Sequence, residues 1–502
     1  MNITAGGKEH DIVIVGAGGA GMAAAIEAAR SGMDVLLVEK APQAGGTTAW
    51  SVGSYTTSGT EHQRRAGIED SSEAHFEDMG LFNSRVAATD NLALRRLLTE
   101  EAPATFRWLT DLGVTFIGPN LEPPHRVARM HNVIPNAGAF PYFLLKECSR
   151  LGVTIECGRE LVDLLFTDGR VSGVVVSDGS AGETRHARHA VILATGDFAA
   201  NARIKARFFG PEVRDAEPVN PLATGEGIEV AERYGATIVN GHHANAPRMR
   251  FVPAPSNWMQ RIPPARVLAR MIGWGLERLP HQLMRPVVMR FLTTALGPEP
   301  TLFRCGAVLV DKRGAAVELE LGHIARHLPA TDGNIGYIVF DGRVASQLET
   351  WPNFVSTAPG VAYAYLRDYL SARKDICSVA NTIEDLARKI GANAGELRRS
   401  LALATLPDGM NGPATAPYYA LGPVRGYVTI TEGGLAVNER LQVSGAAGEP
   451  VPGLYAAGSC GQGGMLLEGH GHHIAWAFVS GRLAARAVLR AAQEAPTDRG
   501  AV

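Results

Sequence analysis

Two groups of residues in this chain have types and spacings that do chemistry. The first is Gly16-x-Gly18-x-x-Gly21. In such a loop the first glycine permits a tight turn. The second lets the backbone approach a diphosphate, and the third lets a helix pack on a strand. A helix opening there turns unpaired N–H groups and its positive dipole end toward phosphates. Glu39 lies 18 residues beyond Gly21, where a carboxylate accepts from ribose hydroxyls. The second group is Glu468-Gly469-His470-Gly471-His472-His473. Imidazole is the side chain suited to moving protons near neutral pH. His470 is the first choice of acid/base, with Glu468 and His472 beside it. Any one of these histidines could instead cap a helix or bond the backbone. A zinc site of His470, His472 and His473 is disfavoured, because adjacent side chains of one turn diverge. No metal is expected.

The elements that must position these groups can be read from the pattern. Asp11–Val15 is a short apolar, β-branched run, a buried strand. The run MAAAIEAARSG after the glycines reads as a helix stopped by Gly32, and Met33–Val38 as a second buried strand ending at Glu39. Together they make the βαβ unit that begins a parallel sheet. Residues 90–112 read as helix. Strands are expected at Val153–Ile155, Leu161–Phe166, Val171–Ser177 and Ala190–Ala194, with Asp168-Gly169 as a hairpin turn. Nine prolines break the pattern over 247–300. Short strands follow over 307–340, a mostly helical stretch over 360–404 and strands and turns over 427–460. His472–Ala492 is a long closing helix. No second strand-GxGxxG-helix unit occurs, so a separate NAD(P)H domain is not expected.

Composition bounds the rest. The 502 residues are 46% hydrophobic and 20% charged with a net charge of −2, which excludes disorder and gives no overall basic excess for nucleic acid. The five cysteines are scattered and show no zinc spacing. No apolar run of membrane-spanning length and no signal-peptide pattern is present, so a cytoplasmic setting is expected. Glycine stands at 57 residues, clustered where a backbone would approach a large ligand.

Further motifs carry a resemblance. They are Glu39-Lys40, Gly45-Gly46-Thr47-Thr48-Ala49-Trp50-Ser51 and Gly53, then Ala194-Thr195-Gly196-Asp197-Phe198 with Asn201. Ala223-Thr224-Gly225-Glu226-Gly227, Gly433-Gly434-Leu435 and Pro452-Gly453-Leu454-Tyr455-Ala456-Ala457-Gly458 complete the set. In order and spacing the chain resembles the FAD-dependent fumarate reductases, succinate dehydrogenase flavoproteins, L-aspartate oxidases and 3-ketosteroid dehydrogenases. The resemblance covers 10–240 and 410–490. It implies an α/β fold: a Rossmann-type FAD-binding domain, discontinuous in sequence, with an inserted α+β cap. The expected segments are 1–242 and 413–502 for the FAD domain and 243–412 for the cap. Carried over as FAD contacts are Gly16, Gly18, Gly21, Glu39, Lys40, Gly46, Thr47, Thr48, Val162, Thr195, Gly196, Glu226, Gly458 and the backbone near Ile474. Ser459 stands where many relatives have Glu, and a serine still makes one ribitol bond. The start of the closing helix would point its positive end at the flavin.

The resemblance implies making or reducing a C=C bond beside a carbonyl or carboxylate, with hydride to or from flavin N5 and a proton to or from a side chain. The chain departs from both familiar branches. Dicarboxylate reductases carry His-Gly-x-Asn-Arg after Ala-Ala-Gly, whereas this chain has Met465-Leu466-Leu467-Glu468-Gly469-His470. Thr429-Ile430 replace the family's His, and the late-loop Tyr of ketosteroid dehydrogenases is missing. A hydrophobic or cyclic ketone is therefore the expected substrate. The alternatives are an unsaturated organic acid, or a flavoprotein monooxygenase or oxidase. In the cap, His323, Arg326 and His327 lie near the position of the relatives' proton-delivering Arg; Arg326 could donate to a carbonyl, and could equally be a solvated helix end. Arg425 and Tyr427 are further candidates.

Residues 248–297 hold eight arginines and one acid, Glu277, interleaved with Trp258, Trp274, Phe291 and aliphatics. On a helix over 265–279, Leu268, Met271, Ile272, Gly275 and Leu279 share one face and Arg266, Arg270 and Glu277 the other. Two readings stand: a cap helix packed on its own domain, or an interfacial segment over 258–296 giving peripheral contact with the inner membrane face and a quinone-like electron partner.

Overall fold

The computed structural model describes residues 3–4, 8–82, 86–243, 247–254, 261–278, 289–290, 292–294, 296–358, 362–404 and 412–494. The apolar run before the glycine loop forms β1 (His10–Val15), and the alanine-rich stretch after it forms α1 (Gly19–Arg30). β2 (Val35–Glu39) lies parallel to β1, and all its residues are buried. Such uninterrupted apolar runs suit a parallel sheet covered on both faces. A short helix, α2 (Gly46–Trp50), follows, then α3 (Ser72–Phe82) and the long α4 (Leu92–Leu112). β3 (Thr154–Cys157) adds to the outer edge of β2, and β4 (Gly182–Leu193) pairs with the other edge of β1. The first half of β4 also pairs antiparallel with Arg170–Ser177, one arm of the expected Asp168-Gly169 hairpin. A separate three-stranded sheet is built from Ser54–Thr56, Met130–Ile134 and Thr115–Asn120.

A second sheet follows. Its strands are β5 (Arg248–Phe251), β6 (Val308–Asp311), β7 (Gly336–Asp341), β8 (Cys377–Ala380) and β9 (Tyr418–Val428). β9 is central: Tyr418–Leu421 pairs with β7 on one edge and β8 on the other, and Val424–Tyr427 pairs with β5. Glu217–Pro218, from the first half of the chain, adds parallel to the end of β9. The expected start of the last segment at 413 thus falls ahead of a strand whose ladder partners all lie earlier. The second sheet runs on to Val428, because β9 finds its hydrogen-bond partners there. The two sheets have separate cores. One surrounds β1, β2, β4 and α1; the other centres on Leu302, Phe303, Phe340 and Tyr369.

α5 (Arg266–Arg278) packs by Ala269 and Gly273 against Ile117 and Ile134 of the three-stranded sheet. Val267, Met271 and Trp274 are 72%, 65% and 58% exposed. Met271 therefore stands on the exposed side with Arg270, whereas the helical pattern sets it on the face opposite Arg270. Trp258, Leu279 and Phe291 of that segment lie outside the described residues.

The chain then returns to the first sheet. β10 (Pro450–Ala456) pairs parallel with β4, giving the parallel order β10–β4–β1–β2–β3. α6 (His472–Glu494) closes the fold by crossing α1. At Gly481 a Cβ would stand 2.2 Å from the Ala20 carbonyl oxygen, so only glycine permits this close approach. Arg482 (3.0 Å) and Arg486 (2.6 Å) both bond Glu27 and fix the crossing.

Candidate active site

A cleft of about 380 Å³ opens at the carboxyl end of β1, where β1 meets β4 and β10. Its floor is the glycine loop. At Gly21 a Cβ would lie 1.8 Å from the Gly16 carbonyl oxygen, so any side chain there would displace the loop from the helix. The loop is held from two sides. Glu39 accepts from Ala17 N (2.7 Å) through one oxygen and from Ala41 N (2.8 Å) through the other. Thr48 of α2 accepts from Gly19 N (3.1 Å). The residue read as a ribose ligand therefore also shapes the phosphate loop.

Gly16, Gly18, Glu39 and Lys40 all line this cleft. So do Gly46, Thr47 and Thr48 from α2, Thr195, Gly196 and Glu226 from the opposite wall, and Gly458 and Ser459 after β10. Three expected residues do not. Gly21 lies beneath the loop as the helix-packing glycine. The Val162 carbonyl accepts from Arg233 (2.7 Å), while its neighbour Leu161 lines the cleft. Ile474 packs against the main core. At one end Lys40 bonds the Thr224 hydroxyl and the Glu226 carboxylate. A second cavity of about 410 Å³ adjoins there and shares Lys40, Leu222 and Glu226. Thr195 Oγ1 is buried with only the Cys460 thiol beside it as a weak partner. A long ligand with polar atoms along its length would satisfy it, and the glycine-backed walls leave its backbone room to approach. The residues fit a flavin dinucleotide.

At the other end Ala477 lines the cleft. His473 stands one turn earlier on the same face of α6. His473 Nε2 lies 3.0 Å from Glu432 Oε1, and its Nδ1 is buried without a partner among the described residues. Burial alone would raise the Glu432 carboxyl. The His473 charge and hydrogen bond, with donors from Leu467 N and Gln462, outweigh it and bring the group below its usual value. Asp197, which lines the cleft nearby, is pushed up to about 6 by burial.

His470 lies in the loop entering α6. Its ring Nδ1 bonds the buried carboxylate of Glu122, and its backbone N–H donates to the two Glu122 oxygens (3.2 and 3.0 Å). Thr56 donates to the His470 carbonyl (2.6 Å). The imidazole itself is half exposed. Glu468 acts on this loop through its backbone: its carbonyl accepts from His472 Nδ1 (2.7 Å). His472 is fully buried, and its imidazole is pushed down to about 3 by burial and by His125. It faces His75 and His125 and not the surface on which His470 lies. The remaining candidates have other partners. His327 pairs with Glu320 (3.1 Å), and Arg326 lies 3.6 Å from Glu320 and 3.9 Å from Glu212. Tyr427 is buried in β9, its hydroxyl raised by burial and by Glu217, which Arg425 also bonds.

Sequence reasoning missed Glu122 and Glu432. Each is brought to its histidine from a distant segment, 348 and 41 residues away, with no local motif. Asp197 did carry a signal, the strand-to-glycine junction Thr195-Gly196-Asp197.

The family model described as an FAD binding domain matches residues 11–467, and the chain belongs to that family. It is an FAD-dependent oxidoreductase of the class that acts on carbon–carbon bonds. The "Probable fumarate reductase Ifc3" of Shewanella frigidimarina (strain NCIMB 400) is 26% identical over 507 residues, covering 96% of this chain and 75% of that one. The "Vinyl phenol reductase" of Lactiplantibacillus plantarum is 26% identical over 512 residues, covering 95% and 96%. The open conformation of a flavocytochrome c3 fumarate reductase superposes with a TM-score of 0.73 at 23% identity, covering 97% of this chain and 79% of that one. That likeness shows the fold.

Proposed function

We propose that the chain exchanges hydride and proton with a C=C or CH–CH bond next to an electron-withdrawing group on a hydrophobic or cyclic substrate. FAD, when bound, supplies the hydride-exchanging ring. The observation that carries the reading is the His470–Glu122 pair at the entrance to α6. With Nδ1–H held by the carboxylate, Nε2 is the nitrogen left to take or give a proton at substrate carbon. Gly16, Gly18, Lys40, Thr195, Glu226 and Ser459 would hold the dinucleotide. The first turn of α6, with His473 held by Glu432, would favour negative charge on the reduced ring.

Two observations support an apolar substrate. Where dicarboxylate reductases carry a carboxylate-gripping Arg, this chain has Met465, Leu466 and Leu467, all buried. A vinyl phenol reductase is similar over nearly the whole chain. The second reading, reduction of an unsaturated acid, rests on Arg250 and Arg425, which face each other across β5 and β9, and on the fumarate reductase relative. An anaerobic panel decides. Photoreduced holoenzyme is mixed with enones, vinyl arenes and enoates, and flavin absorbance is followed. Reoxidation by enones or vinyl arenes is expected; reoxidation by enoates alone overturns the apolar reading. In a separate aerobic run, oxygen incorporated into product would instead mark a monooxygenase.

Among the described residues, no helix is long and apolar enough to cross a membrane. The exposed row Val267, Met271 and Trp274, flanked by Arg266 and Arg270, supports peripheral contact with an anionic membrane surface. A membrane-borne quinone would then be a reachable electron partner.

A further inference from the structure

We propose that His75, His125 and His472 form a binding site for one divalent transition-metal ion, zinc foremost, that pins the first turn of α6. Nothing in the proposed reaction uses these three side chains. They come from α3, from the loop ahead of Arg126 and from the first residue of α6, and all three are buried. One ring nitrogen from each lies within 4.8 Å of the other two.

Their arrangement suits a metal in detail. His472 Nδ1 donates to the Glu468 carbonyl at 2.7 Å, which leaves Nε2 bare. A backbone carbonyl on the far nitrogen is the usual orienting partner of a metal-bound imidazole. His472 Nε2 stands 3.2 Å from His75 Nε2. Two nitrogens on one tetrahedral zinc, each about 2.0–2.1 Å from it, stand roughly 3.3 Å apart. His125 Nε2 is buried without a partner among the described residues. On the far side of His125, Nδ1 is 3.1 Å from Arg129 Nη1 and 3.9 Å from Asp78 Oδ2. Arg129 Nη1 donates to Nδ1, which leaves the proton on Nε2. A metal at Nε2 displaces it to Nδ1, so Arg129 must turn from Nδ1 toward Asp70 and Asp78, which it already bonds, and the ring must close the 3.9 Å to Asp78. The third nitrogen must close in by up to about 1.5 Å, and water would fill the fourth position. Imidazole donors favour zinc, nickel and copper over calcium or magnesium. The three neighbours His470, His472 and His473 turn to different partners, Glu122, the His75–His125 pair and Glu432, so they do not converge on one ion.

The test uses the FAD-loaded full chain. Protein purified without chelator is analysed by plasma mass spectrometry, stripped with a chelator, and titrated with zinc sulfate against a chelating dye. One zinc per chain is expected to survive dialysis. His75→Gln and His125→Gln should weaken zinc binding by roughly 100-fold or more, and His470→Gln should keep it, each variant being checked for flavin content. Absence of zinc both as purified and after micromolar zinc would overturn the site. Full stoichiometry in both His75→Gln and His125→Gln would also overturn it. Should those variants lose flavin, X-ray absorption of the zinc-loaded native chain decides. An imidazole-rich inner shell supports the site, whereas a sulfur-dominated one assigns the zinc to the free cysteines and overturns it.

Discussion

A half-exposed imidazole paired with a buried carboxylate is a different object from a lone histidine. Glu122 fixes which nitrogen of His470 carries the proton, so its contribution is orientation. His470→Gln should lower turnover by about 10²–10⁴-fold with FAD content intact. Glu122→Gln should lower it less and alter the pH profile of turnover. Single-turnover flavin reduction or reoxidation measures both; native rates in His470→Gln would remove His470 from the mechanism. His131 makes a second prediction at this scale. It is buried, bonded to Thr60 through Nε2 (3.0 Å), and pushed down to about 3, first by burial and then by His62. The unfolded chain therefore takes up the proton first. Stability held by neutral His131 is complete above about pH 6.5 and drains as pH falls toward 3, about 2 kcal/mol of it by pH 5. His131→Phe should lose that much less stability between pH 7 and 5 in urea unfolding; an unchanged pH slope would refute the account. Residue types alone could nominate His470, because imidazole density in a glycine-rich loop is visible in the sequence. They could not separate His470 from His472, since burial and partners are set by α3 and the 122–125 loop.

At the scale of elements, the βαβ unit was fully legible. Period, glycine spacing and the acid at the end of β2 all point to one local structure, and β1, α1 and β2 form within a few residues of their expected limits. Gly21→Ala should abolish FAD binding, because the added carbon would meet the Gly16 carbonyl; isolated protein should be colourless, and a yellow variant with native flavin stoichiometry would contradict the loop geometry. α5 was legible as a helix but its orientation was not. The pattern groups Met271 with Leu268 and Ile272, but the small Ala269 and Gly273 are what let the helix approach Ile117 and Ile134, leaving Trp274 and Met271 outside. If that outer row meets lipid, Trp274→Ser with Met271→Ser should reduce co-sedimentation with anionic vesicles several-fold at low salt while leaving flavin content unchanged. Recovery of the native chain wholly in the supernatant would end the membrane reading.

The described residues build two large sheets, each with its own core, joined by strands that cross from one to the other. Glu217–Pro218 joins the second sheet from the first half of the chain, and β9 leads back to β10 of the first. This exchange places the strand that follows 413 in the second sheet. β9 alternates like the strands after it, and only its ladder partners assign it to the second sheet. What the sequence did show is that both ends of the chain meet at one cleft, with the glycine loop on one wall and Gly458, Ser459 and Ala477 on the other. A ligand bridging those walls stabilises the folded chain by mass action, by about 4 kcal/mol at a thousandfold excess over its dissociation constant. Adding FAD to the stripped protein should therefore raise the melting temperature by several degrees. It should also slow amide exchange in residues 16–21 and in the first turns of α6 together, although some 450 residues separate them, while β7 and β8 change little. Protection gained at the glycine loop alone would mean that the carboxyl-terminal wall does not hold the flavin.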